Sequence, residues 1–89
     1  MSEENLKTPF FVYVLLCFDG SLYTGISNNL KKRFTDHQKG LGGAYTRSHK
    51  PVKIIYREQH PDKSSALKRE AQIKSWPRLK KITDLKLLL

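Results

Sequence analysis

The tightest constraint on what this chain can fold into lies near its start, in the stretch FFVYVLLCFDGSLYTGI, residues 10–26. Nine apolar residues run unbroken from Phe10 to Phe18, rich in Val and Phe and without a polar face at helical spacing. Such a run reads as a strand buried on both sides, and so central in its sheet. Asp19-Gly20 is a turn signal, and Leu22–Ile26 reads as the returning strand of a hairpin.

Two tyrosines, Tyr13 and Tyr23, lie ten residues apart across this turn. Side chains alternate between faces, so the parity of the loop decides their relation. A two-residue loop of Asp19 and Gly20 pairs Phe18 with Ser21 and puts the tyrosines on opposite faces. A three-residue loop, Phe18-Asp19-Gly20, has its glycine left-handed in a bulge and pairs Cys17 with Ser21. Leu15 then faces Tyr23, Tyr13 faces Gly25, and the two tyrosines are diagonal neighbours on one face. Both faces of the first strand are apolar, so the pattern alone allows either loop.

After the hairpin, Ser27 or Asn28 can cap a helix that Gly40 ends. Leu30, Phe34 and Gln38 mark its inner stripe, with Arg33 and His37 four apart along one flank and Lys31 and Lys32 pointing outward. Residues 40–51, GLGGAYTRSHKP, read as a loop that carries Tyr45, Thr46, Arg47, His49 and Lys50. Residues 52–57 read as a third strand at an edge, because lysine and arginine alternate along it. A turn at His60-Pro61 leads to a helix from about Ser64 to Trp76, and Pro77 opens a last helix from Arg78 to about Leu87. Leu79, Ile82 and residues 85–87 give that last helix its apolar side. On the preceding helix Ala66, Leu67, Ala71 and Ile73 mark the buried side. Glu70 falls on or beside it, where a carboxylate costs free energy unless it is paired or holds a metal.

Charge narrows the function. Seventeen Lys and Arg against eight Asp and Glu give a net charge of +9 on 89 residues, the footprint of a nucleic-acid partner. Cys17, the lone cysteine, sits inside the apolar run and reads as a buried small hydrophobe, which leaves no thiol cluster for a metal. The start, MSEENLKTP, lacks the basic region of a signal peptide, and no apolar run approaches the ~20 residues of a membrane span. Residues 1–8 are expected to form a disordered tail ahead of one domain at 9–89, a cytoplasmic monomer that does not engage membranes.

These pieces resemble the GIY-YIG nucleases. Val12-Tyr13-Val14 is similar to the family's first motif and Tyr23-Thr24-Gly25 to its second, the departures being swaps around the tyrosines. The stretch from Gly25 to Arg33 resembles the family's glycine-to-arginine segment, with His37 one helical turn on. Residues 66–74 resemble the helix that bears the metal-binding glutamate, here Glu70. The resemblance covers about residues 9–82 and is nearest to the stand-alone, single-domain group of the YazA and YhbQ type, which also resembles this chain in Asp-Gly-Ser-Leu-Tyr and Ala-Tyr-Thr-Arg.

The resemblance implies an α/β domain of α+β type, a small three-stranded antiparallel sheet flanked by about three helices. It implies that both tyrosines face the active site, which favours the three-residue loop. It further implies a metal-dependent endonuclease that hydrolyses DNA phosphodiester bonds, with structure rather than sequence preference, in DNA repair or recombination. Tyr13, Tyr23, Arg33 and His37 would be the catalytic set, and Glu70 would hold one Mg²⁺ or Mn²⁺. Lys31, Lys32, Arg47 and Lys50 are candidates for backbone contacts to DNA, ahead of structured RNA. The alternative is a nucleic-acid-binding module with a nuclease-like fold and no catalysis.

Overall fold

The structure is a computed structural model and describes residues 8–89. The tail expected at residues 1–8 therefore lies almost wholly outside the described residues. Three strands, β1 (Phe10–Cys17), β2 (Leu22–Ser27) and β3 (Pro51–His60), form an antiparallel sheet in the order β2-β1-β3. The long apolar run is thus the central strand. Four helices follow the chain: α1 (Leu30–Gln38), α2 (Ala44–Ser48), α3 (Lys63–Lys74) and α4 (Arg78–Asp84).

The hairpin has the three-residue loop. The Cys17 amide donates to the Ser21 carbonyl and the Gly20 amide donates back to Cys17, each at 2.9 Å. Gly20 has φ +86°, which a side chain at that position would resist. The Asp19 carboxylate accepts from both the amide and the hydroxyl of Ser21 and holds the turn. The register follows: Tyr13 pairs with Gly25 and Leu15 with Tyr23. Against β3, Val12 pairs with Glu58 and Val14 with Tyr56, and an irregularity after Val14 brings Ile54 opposite Leu15.

Alternation along β1 then sorts the sheet into two faces. Val12 and Val14 join Ala66, Ile73, Leu85 and Leu87 in one apolar cluster, with Phe10, Leu22, Ile26, Trp76 and Ile82 packed against it. The residues between them, Tyr13, Leu15 and Cys17, are buried on the other face, where α1 lies.

Helix α1 is capped by Asn29, whose side chain accepts from the Lys32 amide at 3.1 Å, one residue beyond the expected cap. Ser27 instead braces the approach, its hydroxyl accepting from the Asn29 amide. Gly40, at φ +78°, closes the helix: its amide donates to His37 and that of Leu41 to Asp36, satisfying carbonyls the last turn leaves open. Asp62 caps α3 by accepting from the Ser65 amide at 2.8 Å.

Five expectations need correction. Residues 40–51 are not all loop, because Ala44–Ser48 forms the short helix α2. The third strand is longer than 52–57 and runs to His60, held there by polar side chains rather than an apolar pattern. The inner residue of α1 is His37, fully buried, while Gln38 is exposed. On α3, Leu67 and Ala71 are exposed, and the inward face is Ala66 and Ile73 with Arg69 and Glu70 half-buried, as is Trp76 just past the helix end. The last helix stops at Asp84, so Leu85 and Leu87 are buried beyond its end and Leu79 faces solvent.

Candidate functional site

On the α1 face of the sheet, Tyr13 and Tyr23 lean on one another with ring centroids 6.4 Å apart. Gly25 makes this possible. A Cβ there would stand 2.6 Å from Tyr13 Oη and 3.1 Å from a Tyr23 ring carbon, so only glycine leaves room for both rings. His37 rises from α1 into the pair, its ring edge-on to Tyr23 at 5.0 Å and to Tyr13 at 6.0 Å.

His37 is completely buried, and both of its nitrogens are partnered by hydroxyls. Nε2 lies 2.8 Å from Tyr13 Oη and Nδ1 lies 2.7 Å from Thr46 Oγ1. Burial and the nearby Arg33 guanidinium push the His37 pKa down, so the ring is neutral near pH 7 and has one donor and one acceptor. Each hydroxyl partner can donate or accept, so either tautomer keeps both ring nitrogens bonded.

Tyr13 is 2 % exposed, and its pKa is pushed up to about 12. Burial is the largest cause and the neighbouring Tyr23 adds to it. The Arg33 guanidinium pulls the other way, and the Glu70 carboxylate raises it slightly. Arg33 and Glu70 thus both lie within electrostatic reach of the Tyr13 hydroxyl. Arg33 is itself anchored, Nη2 donating to the Gly42 carbonyl at 3.1 Å. Gly42 is pressed against His37, where a Cβ would come within 2.0 Å of Nδ1.

Glu70 keeps its side chain 17 % exposed, and Lys74 Nζ lies 3.4 Å from Oε2, the i+4 ion pair its spacing allows. Among the described residues no three His, Cys, Asp or Glu side chains gather into a metal cluster. A single part-exposed carboxylate fits an ion that keeps most of its water, as Mg²⁺ does, and does not fit one that needs a closed protein cage.

Of the candidates for DNA contact, Lys31, Lys32, Arg47 and Lys50 are all exposed. Lys32 is paired with Asp36 at 3.1 Å. Arg47 rides on α2, and Lys50 follows it.

Sequence reasoning placed Thr46 in a loop without its bond to His37, and it did not pick out Gly42 or the packing role of α2. Tyr45 stacks on Tyr23 at 5.8 Å and 29°, and His49 stacks on Tyr45 at 4.1 Å and 10°. The Tyr45/His49 spacing of four, between glycines and a proline, is the local signal that marks this single helical turn.

Comparison with known proteins gives the arrangement its context. A family model described as the GIY-YIG catalytic domain matches residues 9–83. The UPF0213 protein SA0446 of Staphylococcus aureus is 45% identical over 76 residues, which are 85% of this chain and 93% of that one. The solution structure of protein EF2693 from E. faecalis superposes with a TM-score of 0.62 at 41% identity, covering 88% of this chain and 83% of that one. That of the UPF0213 protein BH0048 from Bacillus halodurans gives 0.57 at 33% identity with the same coverage. On a match that spans nearly all the described residues, the chain belongs to the GIY-YIG catalytic-domain family and carries a nuclease-type domain.

Proposed function

We propose that the protein is a metal-dependent DNA endonuclease that selects DNA structure rather than sequence, and that Tyr13, Tyr23, Arg33, His37 and Glu70 carry the reaction. One observation carries this reading above the rest: two tyrosines and a buried neutral histidine share one face of the sheet, with Arg33 and Glu70 both acting on the Tyr13 hydroxyl.

A general base must first be within reach of the water it activates. Tyr13 is closed off from solvent and holds its proton to about pH 12. Tyr23 is only half-buried, so we assign it as the base: its phenolate takes a proton from the attacking water. Tyr13 serves as the fixed neighbour, its hydroxyl held by His37. Arg33 supplies a planar fork of donors for a non-bridging phosphate oxygen. Glu70 is the residue that would hold Mg²⁺ or Mn²⁺, whose role when bound is to stabilise charge on the leaving oxygen. Lys31, Lys32, Arg47 and Lys50 would bind the DNA backbone and position it without reading bases.

The test is cleavage of nicked, branched, single- and double-stranded DNA with Mg²⁺ or Mn²⁺. Glu70→Ala should abolish product while DNA binding persists, and Arg33→Ala should cut the rate sharply with the fold retained by circular dichroism. A Glu70→Ala protein that cuts as fast as the parent refutes the mechanism.

The Lys74–Glu70 ion pair favours a second reading, a nucleic-acid-binding module that lacks catalysis. Salt-sensitive binding to DNA or structured RNA without any Glu70-dependent product would establish it.

A further inference from the structure

The tyrosine pair does not end at Tyr23. Tyr45 lies against it on the outside, and His49 lies almost parallel on Tyr45, so that rings run in series from the buried Tyr13 to the surface. Nothing in the packing of the core requires the outer two. Tyr45 is 39% exposed and His49 is part-exposed, and neither belongs to the apolar cluster. They are nonetheless held in place. His49 Nδ1 donates to the Tyr45 carbonyl at 2.9 Å, which fixes the imidazole plane. His49 Nε2 stands 3.8 Å from the Asp19 carboxylate at the tip of the hairpin. Thr46, between the two rings in sequence, is buried on His37 and pins α2 to the site.

A rigid pair of parallel, part-exposed rings with Arg47 and Lys50 exposed in the same segment has the make-up of a surface that stacks bases and holds their backbone. We propose that Tyr45 and His49 form a stacking platform for an unpaired nucleobase beside the scissile phosphate. The proposal rests on the nuclease reading above and names its substrate class: DNA with at least one unstacked nucleotide at the point of cleavage. A fully paired duplex has its base faces already covered and gains nothing from the platform. A strand or bulge that offers a free base gains one stacking contact two rings from Tyr23.

The test uses oligonucleotides with 2-aminopurine, whose emission is quenched on stacking, bound in a chelator so that no turnover occurs. Three forms are compared: a single strand, a duplex with a one-nucleotide bulge, and a perfect duplex. The parent should quench the probe in the single strand or the bulge but not in the perfect duplex, and the first two forms tell which source of unpaired base is used. Tyr45→Leu removes the ring that holds His49 parallel to it, so it should lose the quench and bind the unpaired forms about 5- to 150-fold more weakly, the range that one lost base–aromatic stack implies, while Tyr45→Phe keeps both. Perfect-duplex binding should hardly change. If Tyr45→Leu fails to fold by circular dichroism, His49→Ala carries the test, since it removes the ring on which the base stacks. Equal quenching and affinity in parent and variant overturn the platform. The nuclease reading stands or falls separately, on Glu70-dependent product in Mg²⁺ or Mn²⁺. A parent that stacks the probe but never cuts keeps the platform and loses the enzyme. One that cuts paired DNA without a Tyr45-dependent quench does the reverse.

Discussion

The buried hydroxyl of Tyr13 gives a prediction whose sign changes with pH. Its pKa stands near 12 in the folded protein and 10.0 in the unfolded chain. Below pH 10 both states hold the proton, and the group adds no pH dependence. Between pH 10 and 12 the unfolded chain releases the proton and the folded one keeps it, so stability falls as pH rises. At 1.36 kcal/mol per unit of difference, the loss by pH 11.5 is about 2 kcal/mol. Tyr13→Phe lacks this titration but strands His37 Nε2, a buried atom 2.8 Å from the lost oxygen, at a cost of roughly 1–3 kcal/mol. The variant should therefore be clearly weaker than the parent at pH 8 and should close most or all of that gap by pH 11.5. Urea denaturation at both pH values, followed by far-UV circular dichroism, measures it. A gap of the same size at pH 8 and pH 11.5 would show that the Tyr13 hydroxyl is not buried as described, and the proton-holding role assigned to it would go too.

Three further outcomes follow from single atoms. Gly25→Ala forces a Cβ to 2.6 Å from Tyr13 Oη, which His37 prevents from retreating; it should cost about 1–3 kcal/mol in urea unfolding and separate the tyrosine rings, seen as loss of cleavage. Thr24 is 3% exposed with its hydroxyl unbonded, so Thr24→Val, which keeps the shape, should stabilise by roughly 1 kcal/mol, and a lower thermal midpoint would contradict it. Glu58 is raised by burial but lowered more by hydrogen bonds from Tyr56 and His60 and by the Arg69 guanidinium, for a net downward shift. Its contribution is whole above the unfolded carboxylate range and is lost as pH falls through the folded value, so Glu58→Gln should flatten the acid limb of stability, read by urea unfolding at falling pH.

The sheet was legible because its evidence is local. Nine apolar residues and Asp19-Gly20 suffice for the hairpin, while the choice of loop needed the family resemblance, which implies that Tyr13 and Tyr23 share a face. What stayed hidden depends on contacts between distant segments. Helix α2 is too short to form on its own and exists because Thr46 bonds His37, a partner nine residues away. The end of β3 has no apolar alternation, since Glu58 is held by Tyr56, His60 and Arg69 instead. Arg69 turns inward on α3 for the same reason, rotating Leu67 and Ala71 into solvent against their own polarity. Apolar periodicity identifies an inward face only when the core is apolar, and on α3 part of that face is an ion pair.

That ion pair bears on the site. Arg69 precedes Glu70, and its Nε donates to both carboxylate oxygens of Glu58 at 3.1 and 3.2 Å. Its guanidinium also lies over Trp76, 5.3 Å from the ring centre, with Lys80 on the same ring at 4.8 Å. Helix α3 is thus fixed to β3 one residue from the proposed metal ligand, while Ala66 and Ile73 fix it to β1. The tyrosines are set by β1 and β2, and His37 and Arg33 by α1 and the Gly42 carbonyl. The tyrosines, the Arg33 and His37 pair, and Glu70 are therefore placed by different parts of the fold. They share the central strand: Tyr13 faces one layer, and Val12 and Val14 face the other. The buried run that first marked this chain supplies a site residue from one face and seats the helix bearing Glu70 with the other. Polar substitution at Val12 or Val14 would thus reach Glu70 through α3 without touching either tyrosine.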